Sequence, residues 1–378
     1  MLKGIYMTLM IGVGVPVPVP QMVLDALTEV SVTTAARSAS GFSLSFELSN
    51  QSPLQTLFLL AGGTPIQLLR VVLIVTLNGI PEVLIDGVMT EHSVAPGVGN
   101  RPATLTVMGS DLTEIMNYAM FSNPPGTPFP AMPPSVRVLT ILAKYAAWGI
   151  VPEVIPSVLV DVPVPSDRIP QQEGTDLEYI QGLAREVGYV FYLKPGPAPL
   201  VSRAYWGPEV KVGLPQPALN VDLDIYTNVE SLDFQFKPTT KTIPVVTIQN
   251  KQTKVPVAIP IPDISPLNPP LGAIPALSYQ LDYLENAAKL SPVRAALLGM
   301  AKAAQSADVV SGSGSLDVLR YGRLLKSREL VGVRGAGLAF NGLYYVTSVT
   351  HNITRQSYKQ NFQLSRNGLL STVSRVPA

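Results

Sequence analysis

Two histidines, His92 and His351, are the only side chains here whose ordinary pKa lies near neutrality, and histidine supplies most general bases at that pH. Each stands in a strand-like run and not in a cluster of acids and nucleophiles, so each reads as a structural residue. Asp222, Asp224 and Asp233 are the acids closest in sequence to a metal-ligand or paired-acid arrangement, but they lack the EF-hand spacing and read as solvated. Tyr205 and Trp206 precede Gly207-Pro208 and could form an aromatic platform for a carbohydrate; packing at a strand end is the simpler reading. No HExxH, GxSxG or Walker lysine motif occurs, and Gly332, Gly335 and Gly337 have the wrong spacing for a dinucleotide turn. The chain has no cysteine, which removes disulfides, zinc–thiolate sites and cysteine nucleophiles. No catalytic, cofactor-binding or metal-ligating residue is assigned, and a non-enzymatic role is expected.

The 378 residues are enough for two or three domains, each with its own core. Lys plus Arg number 27 and Asp plus Glu 26, so no positive field exists to attract phosphates, and direct sequence-specific nucleic-acid binding is not expected. Charged residues make up 14% and hydrophobic residues 47%, which leaves apolar surface that an assembly would cover. Residues 4–24 carry no charge, yet Pro16, Pro18 and Pro20 alternate with Val15, Val17 and Val19. Such a run cannot hold helical hydrogen bonds in lipid and reads as an extended strand or arm. It also fits a secretory signal poorly, with one preceding lysine and no clear cleavage site.

The elements follow from hydrophobic period. Phe42, Leu44, Phe46 and Leu48 alternate with polar residues, Arg70–Leu77 and Glu82–Thr90 flank the hairpin pair Asn78-Gly79, and Ala103–Met108 is a further strand. The pattern turns helical at Asp111, with Glu114 spaced as a capping box, and again after Ser135 and after Thr175, where Glu178 completes the same box. Gly149 and Gly188 end the latter two helices, and the strand Tyr189–Leu193 follows. Strands return at Ser231–Phe236 and Thr242–Gln249. A Pro-rich connector then leads into helical patterns over 277–328, broken at Pro292 and Gly312-Ser313-Gly314. Two strands, Leu343–Ile353 and Tyr358–Leu364, close the chain.

The segments Val88–Asp111 and Val346–Gly368 share an order of events: a strand ending in histidine, a loop, and an alternating strand. A duplication is the physical reading. The expected fold is therefore α+β and β-rich: a first β-barrel domain with an extended arm over 1–110, an α/β domain over 111–218, and a second, similar barrel over 219–378. The last domain carries the Pro-rich connector (254–275) and the helical insertion (277–328).

Three stretches carry a resemblance. QEGTDLEYIQGLAREVGYVFYL at 172–193, followed by AYWGP at 204–208, VPVPQMVLDALTEVSVT at 17–33, and NGLYYVTSVTHNITRQSYKQNFQLSRNGL at 341–369 together resemble the baseplate hub family of contractile tails and injection systems. That family includes the late control protein D group of phages, myovirus tail hubs and the N-terminal part of type VI secretion spike proteins. The resemblance implies two β-barrels flanking α/β elements, a homotrimer whose six barrels mimic six subunits, and a place between a hexameric tail tube and a trimeric spike. It implies a tube or tube-initiator protein, a spike, wedge and tape-measure proteins as partners, and a virion or injection-particle baseplate as the location, after synthesis in the host cytoplasm. Many relatives continue into an OB-fold and spike, so a spike on a separate polypeptide is expected here.

Overall fold

The computed structural model describes residues 4–48, 68–99, 102–157, 162–166, 169–249, 256–260, 269–277, 280–283, 292–373 and 376. The Val-Pro run is extended, as its prolines dictate: β1 (Ile5–Val13) and β2 (Val17–Pro18) pair with each other, and Pro20 then opens the short α1 (Gln21–Ala26). Among the described residues no helix is long and apolar enough to cross a membrane. β3 (Leu27–Ala35), β4 (Gly41–Leu48), β5 (Leu69–Leu77), β6 (Ile80–Ala95) and β7 (Ala103–Asp111) follow. Asn78 and Gly79 take φ of 52° and 81°, the left-handed pair that a two-residue hairpin turn requires.

The next stretch folds around its own core. A 3-10 helix (Leu112–Asn117) starts where the Asp111 carboxylate accepts the Thr113 N–H; the expected return bond from Glu114 is not made, and the run stops after six residues, about two turns. α2 (Pro134–Ala143) begins on Pro133-Pro134 and not on a Ser135 cap, because proline at the first position already fixes the helical φ. β8 (Ile150–Val154), α3 (Asp176–Val187), β9 (Val190–Pro195) and β10 (Ser202–Gly207) complete it, the three strands pairing in the order β8-β10-β9. α3 has the full capping box of Thr175 and Glu178 and stops at Gly188, which is left-handed, as the sequence dictates.

The remaining strands are β11 (Gln216–Asn220), β12 (Ser231–Phe236), β13 (Thr242–Gln249), β14 (Pro256–Pro260), β15 (Gly272–Pro275) and β16 (Gln280–Tyr283). After them come α4 (Pro292–Ser306), β17 (Val310–Asp317), α5 (Val318–Tyr321), β18 (Leu330–Arg334), β19 (Gly342–Thr354), β20 (Tyr358–Arg366) and β21 (Gly368–Ser371). Two expectations change here. The Pro-rich connector 254–275 contributes β14, paired with β13, and β15, paired with β21; its residues 254–255 and 261–268 lie outside the described residues. Among its described residues, the helical insertion 277–328 is helical only in α4 and the single turn α5. Pro292 starts α4 instead of interrupting it, and the Ser-Gly-Ser-Gly run is not a breaker but strand β17.

The reason for β17 lies across the sheet. A Cβ on Gly312 would stand 2.8 Å from the Phe234 ring, and one on Gly314 would stand 2.4 Å from the Ser231 carbonyl oxygen and 2.7 Å from the Phe362 ring. The glycines leave room for aromatic rings that stack over the strand and replace the missing side chains. Gly314→Ala is accordingly expected to destabilise by about 1–3 kcal/mol, read as a lower urea midpoint with unchanged slope.

β12, β17, β20, β19, β3, β4, β7, β6, β5, β1 and β2 form one continuous sheet in that order, and β18 and β11 attach beside the first part of β19. Two separate closed barrels are therefore not what the described residues form: no sheet closes on itself, and β3 and β19 join the N- and C-terminal regions in one antiparallel ladder. The hydrophobic core under this sheet is likewise one body, running from Ile5 to Leu364.

Within it, two halves repeat one topology. The order β3-β4-β7-β6-β5-β1 matches β12-β17-β20-β19-β18-β11 strand for strand, in sheet order and in chain order alike. The one difference in direction is that β11 runs parallel to β18 whereas β1 runs antiparallel to β5. Both halves carry a bulge at the same place, between Met89 and Glu91 in β6 and between Val346 and Ser348 in β19. The extra residue is threonine each time, and its hydroxyl donates to the facing strand, Thr90 to the Met108 carbonyl and Thr347 to the Gln363 carbonyl. Core volume is conserved by exchange: Phe42 faces Gly109 in one half, and Gly312 faces Leu364 in the other. The bulges correct the sequence alignment, which equated the two histidines. Aligned on the bulge, His92 corresponds to Val349 and His351 to Val94.

Candidate functional site

The residues with chemical potential are not brought together. Among the described residues no group of three or more His, Asp or Glu side chains could hold a metal ion. Asp222 and Asp224 occupy left-handed positions in the turn after β11, and Asp233 lies on the exposed side of β12. His92 sits near the exposed end of β6. His351 is buried in β19, with Nδ1 2.7 Å from the Tyr358 hydroxyl and 3.4 Å from the Gln360 amide nitrogen; burial pulls its pKa down to about 4. The two neighbours donate to Nδ1, so the ring is neutral. Gly335 and Gly337 turn the chain between β18 and β19. Tyr205 and Trp206 offer no platform: Trp206 is fully buried with its indole N–H on the Ile180 carbonyl, and Tyr205 stacks on Tyr192 with its hydroxyl on the Pro208 carbonyl.

What the fold does assemble is a set of clamps that fix the α/β elements against both halves of the sheet. Arg328 stands over the Tyr192 ring, its Cζ 3.8 Å from the centroid, and donates to the carbonyls of Ala35 and Leu193, tying three parts of the chain at one guanidinium. Arg37 grips Glu209 through two bonds of 2.7 and 2.8 Å, and Lys211, almost fully buried, meets Asp308 at 2.8 Å, where Ser365 also donates. Arg70 and Asp86 pair inside the β5–β6 hairpin, and Arg70 reaches on to the Leu200 carbonyl. Burial raises the Asp86 pKa, opposed by the bonds from Arg70. Arg70–Asp86 and Lys211–Asp308 are buried and hold one relative geometry, because breaking either strands a charge in the interior, whereas Arg37 is exposed and adds a bidentate surface pair. Sequence reasoning missed every one of them; no local pattern joins Arg37 to Glu209 or Lys211 to Asp308.

Among the described residues the sheet has open edges at β12, at β1 with β2 and at β11, and the far half of β6 is open on one side. Ser231, Asp233, Gln235 and Phe236 of β12 are exposed. Among the described residues β5 pairs with β6 only as far as Val88, so Thr90–Ala95 has a partner there on one side alone and is exposed or half-exposed throughout. Tyr6, Val13, Val15 and Val17 add exposed apolar surface along the β1–β2 edge. Edges of this length invite pairing with another chain unless they are covered.

No family model matches the sequence, and no curated protein matches it. Solved structures match over nearly the whole chain. The tail protein from Neisseria meningitidis MC58 superposes with a TM-score of 0.62 at 13% identity, covering 96% of this chain and 98% of that one. The 43 kDa tail protein of prophage MuSo2 from Shewanella oneidensis gives 0.56 at 14% identity, over 97% and 99%. The Francisella PdpA-VgrG complex in its lidded form gives 0.60 at 7% identity over all of this chain, which spans 55% of the matched one. The chain thus has the fold of phage tail and type VI secretion proteins.

Proposed function

We propose that this protein is a structural baseplate hub of a contractile tail or a phage-derived injection particle. Three copies form a ring in which six similar sheet halves present near-six-fold symmetry to a hexameric tube, while the trimer itself matches a three-fold spike. The observation that carries the reading is the repeat of one six-strand topology within a single chain, on a fold shared with phage tail proteins. A chain that contributes two equivalent halves can meet six subunits with three copies.

In this reading residues 1–110 and 219–378 are the two repeats, each completing a barrel in the assembly, and 111–218 is the α/β domain held between them. The clamps around Arg328, Arg37 and Arg70 support a rigid body of this kind, since a symmetry adaptor must not flex between its halves. Its partners are further copies of itself, a tail tube or tube-initiator protein, a spike protein, and wedge and tape-measure proteins; its place is the baseplate. The role is binding and geometry and needs no catalysis, and the burial of Trp206 and Tyr205 removes the motive for a carbohydrate platform. Sedimentation of the purified chain tests the reading: a trimer of about three times 40.4 kDa is expected, and a chain that stays monomeric at all concentrations, alone and with tube and spike proteins, overturns it. Clearing of a cell-wall suspension would overturn the non-enzymatic part.

A further inference from the structure

The repeat leaves one pairing made in one half and unmade in the other. In the C-terminal half, β19 runs on past β18, and its extension Ser348–Thr354 is covered by β3 of the N-terminal half. In the N-terminal half, β6 runs on past β5 in the same way, and among the described residues its extension Glu91–Ala95 pairs with β7 on one side and has no strand on the other. The strand that corresponds to β3 is β12, which among the described residues is likewise unpaired on its outer side. The same ladder partners align β3 on β12: Ser31 and Asp233 face the equivalent serines Ser43 and Ser313, so Val32 corresponds to Phe234 and Thr33 to Gln235.

We propose that β12 of one copy pairs antiparallel with Glu91–Ala95 of β6 in the next copy, repeating between chains the β3–β19 ladder that exists within each. The inference rests on the ring reading above and supplies its contact. The register follows from the intrachain ladder, where Thr33 faces Thr350 and Ala35 faces Ser348. Carried over, Gln235 faces Ser93, Phe236 faces His92, and Lys237 faces Glu91. The side chains suit each other. Phe234 meets Val94 on the side where Val32 meets His351 within the chain. Lys237 and Glu91 are exposed charges of opposite sign, brought to directly opposed positions. Pro238, at the place of Ala36, lacks the N–H that Ala36 gives to the Thr347 carbonyl, so the ladder ends one bond sooner.

The contact is heterologous: β12 of each copy meets β6 of its neighbour, and such contacts close into a ring or run on as a filament. Repeating one junction, alternately within and between chains, places every half in the same surroundings, which closed six-fold packing of halves from three chains requires. An intrachain junction thus fixes the interchain one.

The chain has no cysteine, so introduced thiols report without background. Thr33 and Thr350 hydroxyls lie 2.9 Å apart across the intrachain ladder, which makes Ser93→Cys and Gln235→Cys the matching pair between chains. Both positions are exposed, and the substitutions leave the core untouched. Co-expression of the two single variants, followed by mild oxidation, is expected to give a disulfide-linked dimer that neither variant gives alone. The double variant S93C/Q235C is expected to give a covalent trimer on a non-reducing gel. A preparation that sediments as a trimer yet forms no S93C–Q235C cross-link overturns this pairing and leaves the ring reading standing. Cross-linked ladders without a closed trimer support the pairing and overturn the ring. A persistent monomer overturns both. As a second measurement, Lys237→Glu is expected to weaken trimer association by about fivefold, with Glu91→Lys restoring it in the double variant; a K237E variant that associates as tightly as the parent chain overturns the register.

Discussion

Replacing Asp176 with alanine is expected to cost about 3–5 kcal/mol of stability, measured as a lower guanidinium midpoint. The carboxylate is fully buried at the first turn of α3. One of its oxygens accepts from the Gln172 amide at 2.7 Å and from the Asn123 N–H at 2.9 Å; the other accepts from the Tyr145 hydroxyl at 2.7 Å and pairs with Lys144. Burial alone would raise its pKa, but the bonds from Lys144, Asn123, Gln172 and Tyr145 outweigh burial and hold it below the ordinary value. Alanine would remove the acceptor that joins these four donors: Lys144 would keep the Phe121 carbonyl and the Asn123 side chain, Tyr145 and Gln172 only contacts of 3.4 and 3.5 Å, and the Asn123 N–H would lose its partner, in a core that also holds Trp206 and Tyr145. Asp176→Asn retains an acceptor for two of the donors but loses the charge opposite Lys144, so it is expected to cost less, about 1–3 kcal/mol. If the alanine variant melts with the parent chain, this cluster does not hold the α/β elements.

The second large effect is a dependence on acid that one histidine sets. Burial lowers the His351 pKa from its ordinary 6.5 to about 4, so the folded state keeps the ring neutral where the unfolded chain protonates it. The sign follows. Stability is fully present above pH 6.5, is lost as pH falls below that value, and has lost its full share once pH passes the folded value near 4. At about 1.4 kcal/mol for each pH unit between the two values, the share is about 3 kcal/mol. The cause is specific: Nδ1 already accepts from the Tyr358 hydroxyl, and no carboxylate is among the bonded partners to receive a second ring proton. His351→Gln keeps an acceptor toward Tyr358 and does not titrate. Urea melts at pH 7, 5.5 and 4 are expected to show the parent chain losing about 3 kcal/mol more than this variant; parallel losses would mean that the ring protonates in place.

Much of the local structure was legible in the residues. Thr175, Glu178 and Gly188 bound α3 because capping and the left-handed stop are made by neighbours three or four positions away. Asn78-Gly79 marked its hairpin for the same reason, and the Val-Pro alternation excluded a helix at the start of the chain. The misread segments depend on distant partners. Ser311–Gly314 carries every sign of a breaker until Phe234 and Phe362 are laid over it, and Gln280–Tyr283 is a strand through β13, with which it pairs in parallel. The paired histidines were a false match because they stand at different distances beyond equivalent bulges, His92 two residues after Thr90 and His351 four after Thr347, and only the ladder shows that the bulges are the equivalent points.

The sequence by itself determined that this chain is β-rich and poor in charge, and it raised the expectation of a repeat. Those properties reside in residue types and their period, which each segment carries alone. Only the tertiary structure decided that the repeats merge into one sheet, that Arg328 and Arg37 tie the α/β elements to it, and that the β6 extension is paired on one side alone among the described residues. Thr33 and Thr350 meet across 317 residues of chain, and a contact of that separation is set by which edge the folded halves leave open, a property no local window contains.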